Sequence, residues 1–140
     1  MLLSIDYGSK YIGLAMASPQ TKIAVPYKTI QGVDVLLLFK NLQEIIFKEK
    51  ITKIIIGYPF SLSGNRSEQT KKTEKFIKRC KKEFSLPIII FDERLTSKMA
   101  DNLLSGKQNH AIAANIILQD YIDRETFELR KAATSQRNKH

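Results

Sequence analysis

The strongest constraint on this chain is the run from Lys53 to Tyr58 (KIIIGY), which places three isoleucines in succession with no polar residue between them. A strand with one wet face alternates apolar and polar side chains, whereas one covered on both faces does not, and the latter is typical of parallel strands inside α/β sheets. The neighbouring segments carry the helical period instead. From Asp34, a good N-cap residue, Leu38, Leu42, Ile45 and Ile46 recur at helical spacing through to Lys50. After the run, a second helix is predicted from about Arg66 to Phe84, with Phe76, Ile77, Cys80 and Phe84 on one side. The fold class expected is therefore α/β, with KIIIGY as a central strand.

The other elements fit around it. Leu2 to Asp6 (LLSID), Tyr11 to Ala17 (YIGLAMA) and Lys22 to Thr29 (KIAVPYKT) are separated by Gly/Ser and Pro punctuation and read as three hairpin-linked strands. Pro87 opens a last strand, Ile88 to Phe91, which ends in the cluster Asp92-Glu93-Arg94. Thr96 can cap a short helix to about Ser105, and Ala111 to about Leu129 forms the closing one. Such a mixed sheet has right-handed crossovers that cover both faces. A chain of 140 residues is about one domain, expected over residues 1–129, with a basic, disordered tail over residues 130–140. There is no internal repeat and no interdomain linker.

The net charge of +9 makes an anionic polymer the first partner to consider, because Lys and Arg neutralising phosphates dominate such affinities. On the second predicted helix Lys71, Lys75, Lys78 and Lys82 form one stripe, which by itself reads as a solvated face. No apolar run approaches the roughly 20 residues needed to span a bilayer. Asp6 interrupts the N-terminal apolar stretch and nothing basic precedes it, so no secretory signal is read there. The single cysteine, Cys80, fits a reducing compartment, and the chain is expected to be cytoplasmic with no membrane partner.

Two acids stand at the carboxyl ends of predicted parallel strands, where sites of open α/β sheets lie. Asp6 closes the first strand and Glu93 follows the last, so both face one sheet edge if KIIIGY lies between them. A carboxylate there is partly desolvated and calls for a cation. Oxygen ligands suit Mg²⁺ or Mn²⁺, and one or two such ions would serve phosphodiester cleavage. Taken singly, Asp6 could instead make an Asx-type turn and Asp92-Glu93-Arg94 a surface ion-pair cluster.

Four segments in order, DYGSKYIGLA (residues 6–15), GYPFSLSGNRSEQ (57–69), DERLTS (92–97) and AANIILQDYID (113–123), resemble the YqgF family, also called RuvX. This family comprises pre-16S rRNA nucleases and Holliday-junction-resolvase-like proteins of RNase H fold. The resemblance implies a five-stranded mixed sheet with three antiparallel strands followed by two parallel ones, flanked by helices. It also implies a metal-dependent endonuclease that trims the 16S rRNA precursor in ribosome biogenesis, meeting it in ribosomal precursor particles. Carried over by position, Asp6 and Glu93 are the first two catalytic, metal-binding carboxylates. The third, which opens the last helix, is here His110, and Gly8, Lys10 and Gly13 match a turn that lets the backbone approach the site closely.

Three departures from the family pattern have consequences. Imidazole is neutral and softer than a carboxylate, so His110 favours Mn²⁺ or Zn²⁺ over Mg²⁺ and implies reduced activity, unless it only caps the helix while Asn109 offers a weak oxygen ligand. The loop before His110 carries only Lys107 where the family is strongly basic, and Tyr11 replaces an arginine but can stack on a base. Lys10, Tyr11, Arg66, Arg94 and Lys107 are the candidate nucleic-acid contacts, with Arg94 otherwise a partner of Asp92. Asp120 and Asp123 lie too far along the last helix to reach Asp6, and His140 has no assigned role.

Alternatives remain open at this stage. The chain could cut branched DNA in the manner of a Holliday-junction resolvase, for which a homodimer rather than a monomer would supply two sites. It could instead be a catalytically weakened nucleic-acid-binding protein of ribosome assembly. A phosphate loop of a kinase-like ATPase is disfavoured by length, because one domain supplies half of such a cleft.

Overall fold

The computed structural model describes residues 1–58, 68–92 and 108–137. The elements in order are β1 (Leu2–Tyr7), β2 (Tyr11–Ala17), β3 (Ala24–Gln31), α1 (Val35–Lys48), β4 (Lys53–Tyr58), α2 (Glu68–Glu83), β5 (Ile88–Asp92) and α3 (Gln108–Arg137). The short helix expected from Thr96 to Ser105 lies outside the described residues.

The strands form one sheet in the order β3-β2-β1-β4-β5. β1 pairs antiparallel with β2 and β2 with β3, while β4 runs parallel to both β1 and β5. This is the mixed sheet expected, and the KIIIGY run occupies the place between β1 and β5. Ile54, Ile55 and Ile56 are all fully buried, so both faces of β4 are covered, as its lack of alternation requires.

α1 and α2 cover one face. Leu3, Ile5, Ile12, Leu14, Ile54 and Ile56 meet Leu38, Phe39, Leu42, Phe76, Ile77 and Cys80 there. Phe39 lies 5.7 Å, ring centroid to centroid, from both Phe76 and Phe84. α3 covers the other face, where Ala15, Ala17, Ala24 and Ile55 meet Ala114, Ile117, Leu118 and Ile122.

Local chemistry fixes the ends of the elements. Asp34 caps α1 by accepting the Leu37 N–H at 3.2 Å, and Lys50 takes φ 54° to turn the chain toward β4. β3 starts at Ala24 rather than Lys22, because Lys22 itself adopts φ 58° and Gln119 of α3 binds the backbone on either side. Its Oε1 accepts from Ala24 N–H at 2.9 Å and its Nε2 donates to Lys22 O at 3.2 Å. As an edge strand, β3 tolerates Pro26 and a register shift against Leu14 and Ala15.

α3 continues to Arg137 instead of ending near Leu129, so residues 130–137 of the expected tail are helical. No glycine or proline follows Leu129, and Arg130, Lys131, Ala132 and Ala133 are strong helix formers. Thr134 Oγ1 donates back to the Arg130 carbonyl at 3.0 Å. Among the described residues no helix is long and apolar enough to cross a membrane.

Candidate active site

β1 has one apolar and one polar face. Leu3 and Ile5 enter the core beneath α1 and α2, so alternation turns Ser4 and Asp6 toward α3. Ser4 Oγ donates to the Ala114 carbonyl at 2.5 Å, tying the helix to the strand. Two residues on, Asp6 is only 7% exposed, and its Oδ2 lies 2.8 Å from Nδ1 of His110, in the first turn of α3. A carboxylate oxygen accepts, so Nδ1 carries the proton and donates. Asp6 Oδ1 has no hydrogen-bond partner among the described residues. The first turn of a helix has unpaired N–H groups and a partial positive charge, which also favours the carboxylate placed against it.

Glycine makes this approach possible. Gly13 sits opposite Asp6 in the β1–β2 register. A Cβ on Gly13 would lie 1.9 Å from the His110 carbonyl carbon and oxygen and 2.4 Å from the Ala111 nitrogen. At Gly8 a Cβ would lie 2.5 Å from the Tyr11 carbonyl oxygen and 2.7 Å from His110 Cε1. The two glycines therefore form a seat for the start of α3, a role the sequence could suggest only as close backbone approach.

Further groups gather at the same edge. The exposed Lys10 holds Nζ 5.4 Å from the Tyr11 ring centroid, a cation–π arrangement in the β1–β2 turn beyond Asp6. Gln69 Nε2 donates to the Tyr7 carbonyl at 3.0 Å and fastens the first turn of α2 to the end of β1. Neither Gln69 nor Ser4 is singled out by the sequence. For Ser4 the available signal is its i, i+2 relation to Asp6 on an otherwise apolar strand.

Across the sheet, Ile5 pairs with Ile56 and Tyr58 with Asp92, so the carboxyl ends of β1, β4 and β5 share one edge. β5 ends at Asp92. Glu93, Arg66, Arg94 and Lys107 lie outside the described residues, as does the Asn109 side chain. Asp120 pairs with Arg124 at 3.3 Å and Asp123 accepts from Gln119 at 3.1 Å, both apart from Asp6. Among the described residues no three His, Cys, Asp or Glu side chains converge as a metal cluster; Asp6 and His110 make a pair.

Comparison with known proteins bears on the family and the fold. A family model described as RuvX, Holliday junction resolvase, matches residues 1–124. A protein of Rickettsia africae (strain ESF-5) named "Putative pre-16S rRNA nuclease" is 38% identical over 131 residues, which cover 87% of this chain and 85% of that protein. One of Rickettsia canadensis (strain McKiel) with the same name is 37% identical over the same coverage. Among solved structures, T. thermophilus RuvC in complex with Holliday junction substrate superposes with a TM-score of 0.59 at 12% identity, covering 89% of this chain and 94% of that one. The Fowlpox virus resolvase in complex with Holliday junction DNA gives 0.55 at 11% identity, covering 88% and 97%. Likeness at such identities is one of fold. The match over residues 1–124, together with relatives above 30% identity along most of their length, establishes that this chain belongs to the RuvX family.

Proposed function

We propose that this chain is an endonuclease that hydrolyses phosphodiester bonds of structured nucleic acid, with the 16S rRNA precursor as its substrate in the cytoplasm. The observation that carries this reading is the buried Asp6 carboxylate at the sheet edge, with one oxygen held by His110 and the other without a partner among the described residues. The substrate is argued from the names of the relatives, and ribosomal precursor particles follow as its setting.

A divalent cation fits the donor set, because Asp6 offers a carboxylate oxygen with no hydrogen-bond partner among the described residues and His110 an imidazole beside it. Asp6, His110 and Glu93, the residue after Asp92, would hold Mg²⁺ or Mn²⁺, with His110 favouring the softer Mn²⁺. When bound, such an ion supplies the Lewis acid and activated water that phosphodiester hydrolysis needs. The remaining work falls to the chain. His110 fixes the Asp6 carboxylate through its Nδ1–H, Lys10 neutralises a phosphate near the turn, and Tyr11 offers a face for an unpaired base. Arg66, Arg94 and Lys107 complete the phosphate contacts in this reading.

The test is cleavage of a 16S rRNA precursor and of a four-way DNA junction by purified protein with Mg²⁺ or Mn²⁺. Metal-dependent cutting of the precursor that Asp6→Asn abolishes is the expected result, and cutting unchanged in Asp6→Asn would overturn the assignment. Preference for the junction, with a dimer in solution, would select a resolvase. The hydrogen bond of His110 to Asp6 also favours a second reading, a weakened nuclease retained for binding in ribosome assembly. In that case His110→Asp gains Mg²⁺-dependent cutting that the natural chain lacks.

A further inference from the structure

The lysine stripe of α2 is not used by the site around Asp6, and its surroundings give it a purpose. α2 carries seven basic and three acidic residues between Glu68 and Glu83, while α1 carries two basic residues and one acidic. The three acids of α2 are engaged: Glu68 with Lys71 at 3.7 Å, Glu83 with Arg79 at 3.8 Å, and Glu74 with the Tyr58 hydroxyl. Among the described residues Lys72, Lys75, Lys78, Lys81 and Lys82 meet no carboxylate within 4.0 Å, and all five are exposed.

These lysines do not project from a flat surface. Between α2 and the edge strand β5 lies a groove of about 770 Å³, floored by Tyr58, Ile77 and Ile90 and walled by Lys71, Lys75 and Lys78 among others. Ile90 is 42% exposed on its floor. One end of the groove reaches the sheet edge that carries Asp6, because its lining residue Tyr58 closes β4, which runs parallel to β1. From Lys71 to Lys82 the stripe then runs about 16 Å away from that edge.

We infer that this α2–β5 groove is a second nucleic-acid site, which grips the sugar-phosphate backbone of the RNA flanking the bond presented to Asp6. The ligand's identity rests on the nuclease reading, and the groove supplies what that reading lacks. Several cations in a row hold a run of phosphates beyond those contacted at the Asp6 edge, and the apolar floor accepts sugar and base edges. An acidic protein segment is the competing occupant, but it would not need continuity with the Asp6 edge.

Affinity for a hairpin RNA with a single-stranded extension, measured across a salt series, tests the inference. The Lys71→Gln, Lys75→Gln, Lys78→Gln variant is compared with a Lys28→Gln, Lys40→Gln, Lys48→Gln variant that removes the same charge elsewhere, with melting curves confirming that both fold. Loss of three phosphate contacts should reduce the log–log salt slope by about 2 to 3 and weaken binding on the order of 10- to 100-fold at moderate salt. The control should change binding less than about threefold by the same reasoning. Equal effects in the two variants would overturn the inference, and so would polyglutamate displacing the RNA at matched charge concentration. Asp6→Asn separates this from the nuclease reading. Slope loss in the α2 variant alongside no cleavage by any form sinks the enzyme and keeps the groove, whereas cleavage lost in Asp6→Asn with no α2 effect does the reverse.

Discussion

On the face of the sheet covered by α1 and α2, Phe39, Phe76 and Phe84 fill the space between helices and strands, while beneath α3 strands β2 and β3 present Ala15, Ala17, Ala24 and Gly13. Large side chains bury much apolar area and hold the helices at a distance, so they mainly contribute stability. Small ones let a helix backbone settle onto the strands, so position is fixed by contact of main chain with main chain. The only buried charged group of the described core, Asp6, lies on the second kind of face, where His110 comes within 2.8 Å. Bulk on one face thus stabilises the fold, and close approach on the other fixes the site.

The largest effect should come from filling the α3 seat. Gly13→Ala places a methyl 1.9 Å from the His110 carbonyl, against backbone that must shift. Displacement of His110 by about 1 Å should cost about 100-fold in cleavage. The accompanying overpacking should lower stability by about 1–3 kcal/mol. Cleavage near the natural rate would show that the seat does not set the site.

Phe76→Ala acts on the opposite face, where Phe76 is 5% exposed and stacks on Tyr7 with ring centroids 4.6 Å apart. A loss of about 3–5 kcal/mol in urea melts is expected. In conditions where the variant is folded, cleavage should stay within a few-fold of the natural chain. A loss matching that of Gly13→Ala would erase the distinction between the faces.

Cys80 sharpens the stabilising face by its pH response. Burial, with Glu83 nearby, pushes its thiol up from 9.0 to about 12. Above pH 9 the unfolded chain releases this proton while the folded chain keeps it, so the folded state binds more protons and stability falls toward pH 12; below pH 9 the effect is absent. The stability difference between the natural chain and Cys80→Ala should therefore narrow by about 1.4 kcal/mol from pH 8 to pH 10. A constant difference would mean that the thiol is not shielded.

The smallest expected effect is that of Ser4→Ala, which removes the bond to Ala114 while Gly13 still seats the helix. About 1 kcal/mol of stability should be lost, read by thermal melting. A much larger loss would make that single hydrogen bond, rather than close packing, the anchor of α3.

Much of this was legible in the chain. The non-alternating isoleucines of β4 require cover on two faces, and Asp34 marks the start of α1 by its capping chemistry. Asp6 stands out because a carboxylate ending an apolar strand needs a partner. Polar composition after Leu129 suggests a tail, but Arg130 to Ala133 favour helix and nothing there breaks it, so α3 runs on to Arg137. Gln119 and Gln69 were invisible for another reason. Each bonds to backbone far away in sequence, at Ala24 and Tyr7, and no local pattern encodes such a partner.

By itself the sequence determined the period of each element, the covering of β4, the surplus of positive charge and the presence of an acid at the end of β1, because these depend on residue type and short-range spacing. Only the tertiary structure decided that His110 donates to Asp6 across 104 residues, that Gly13 lies under the start of α3, and that the α2 lysines wall a groove reaching the same edge. Those depend on strand order and on how closely a helix backbone can approach a sheet, and both are settled by packing between segments distant in the chain.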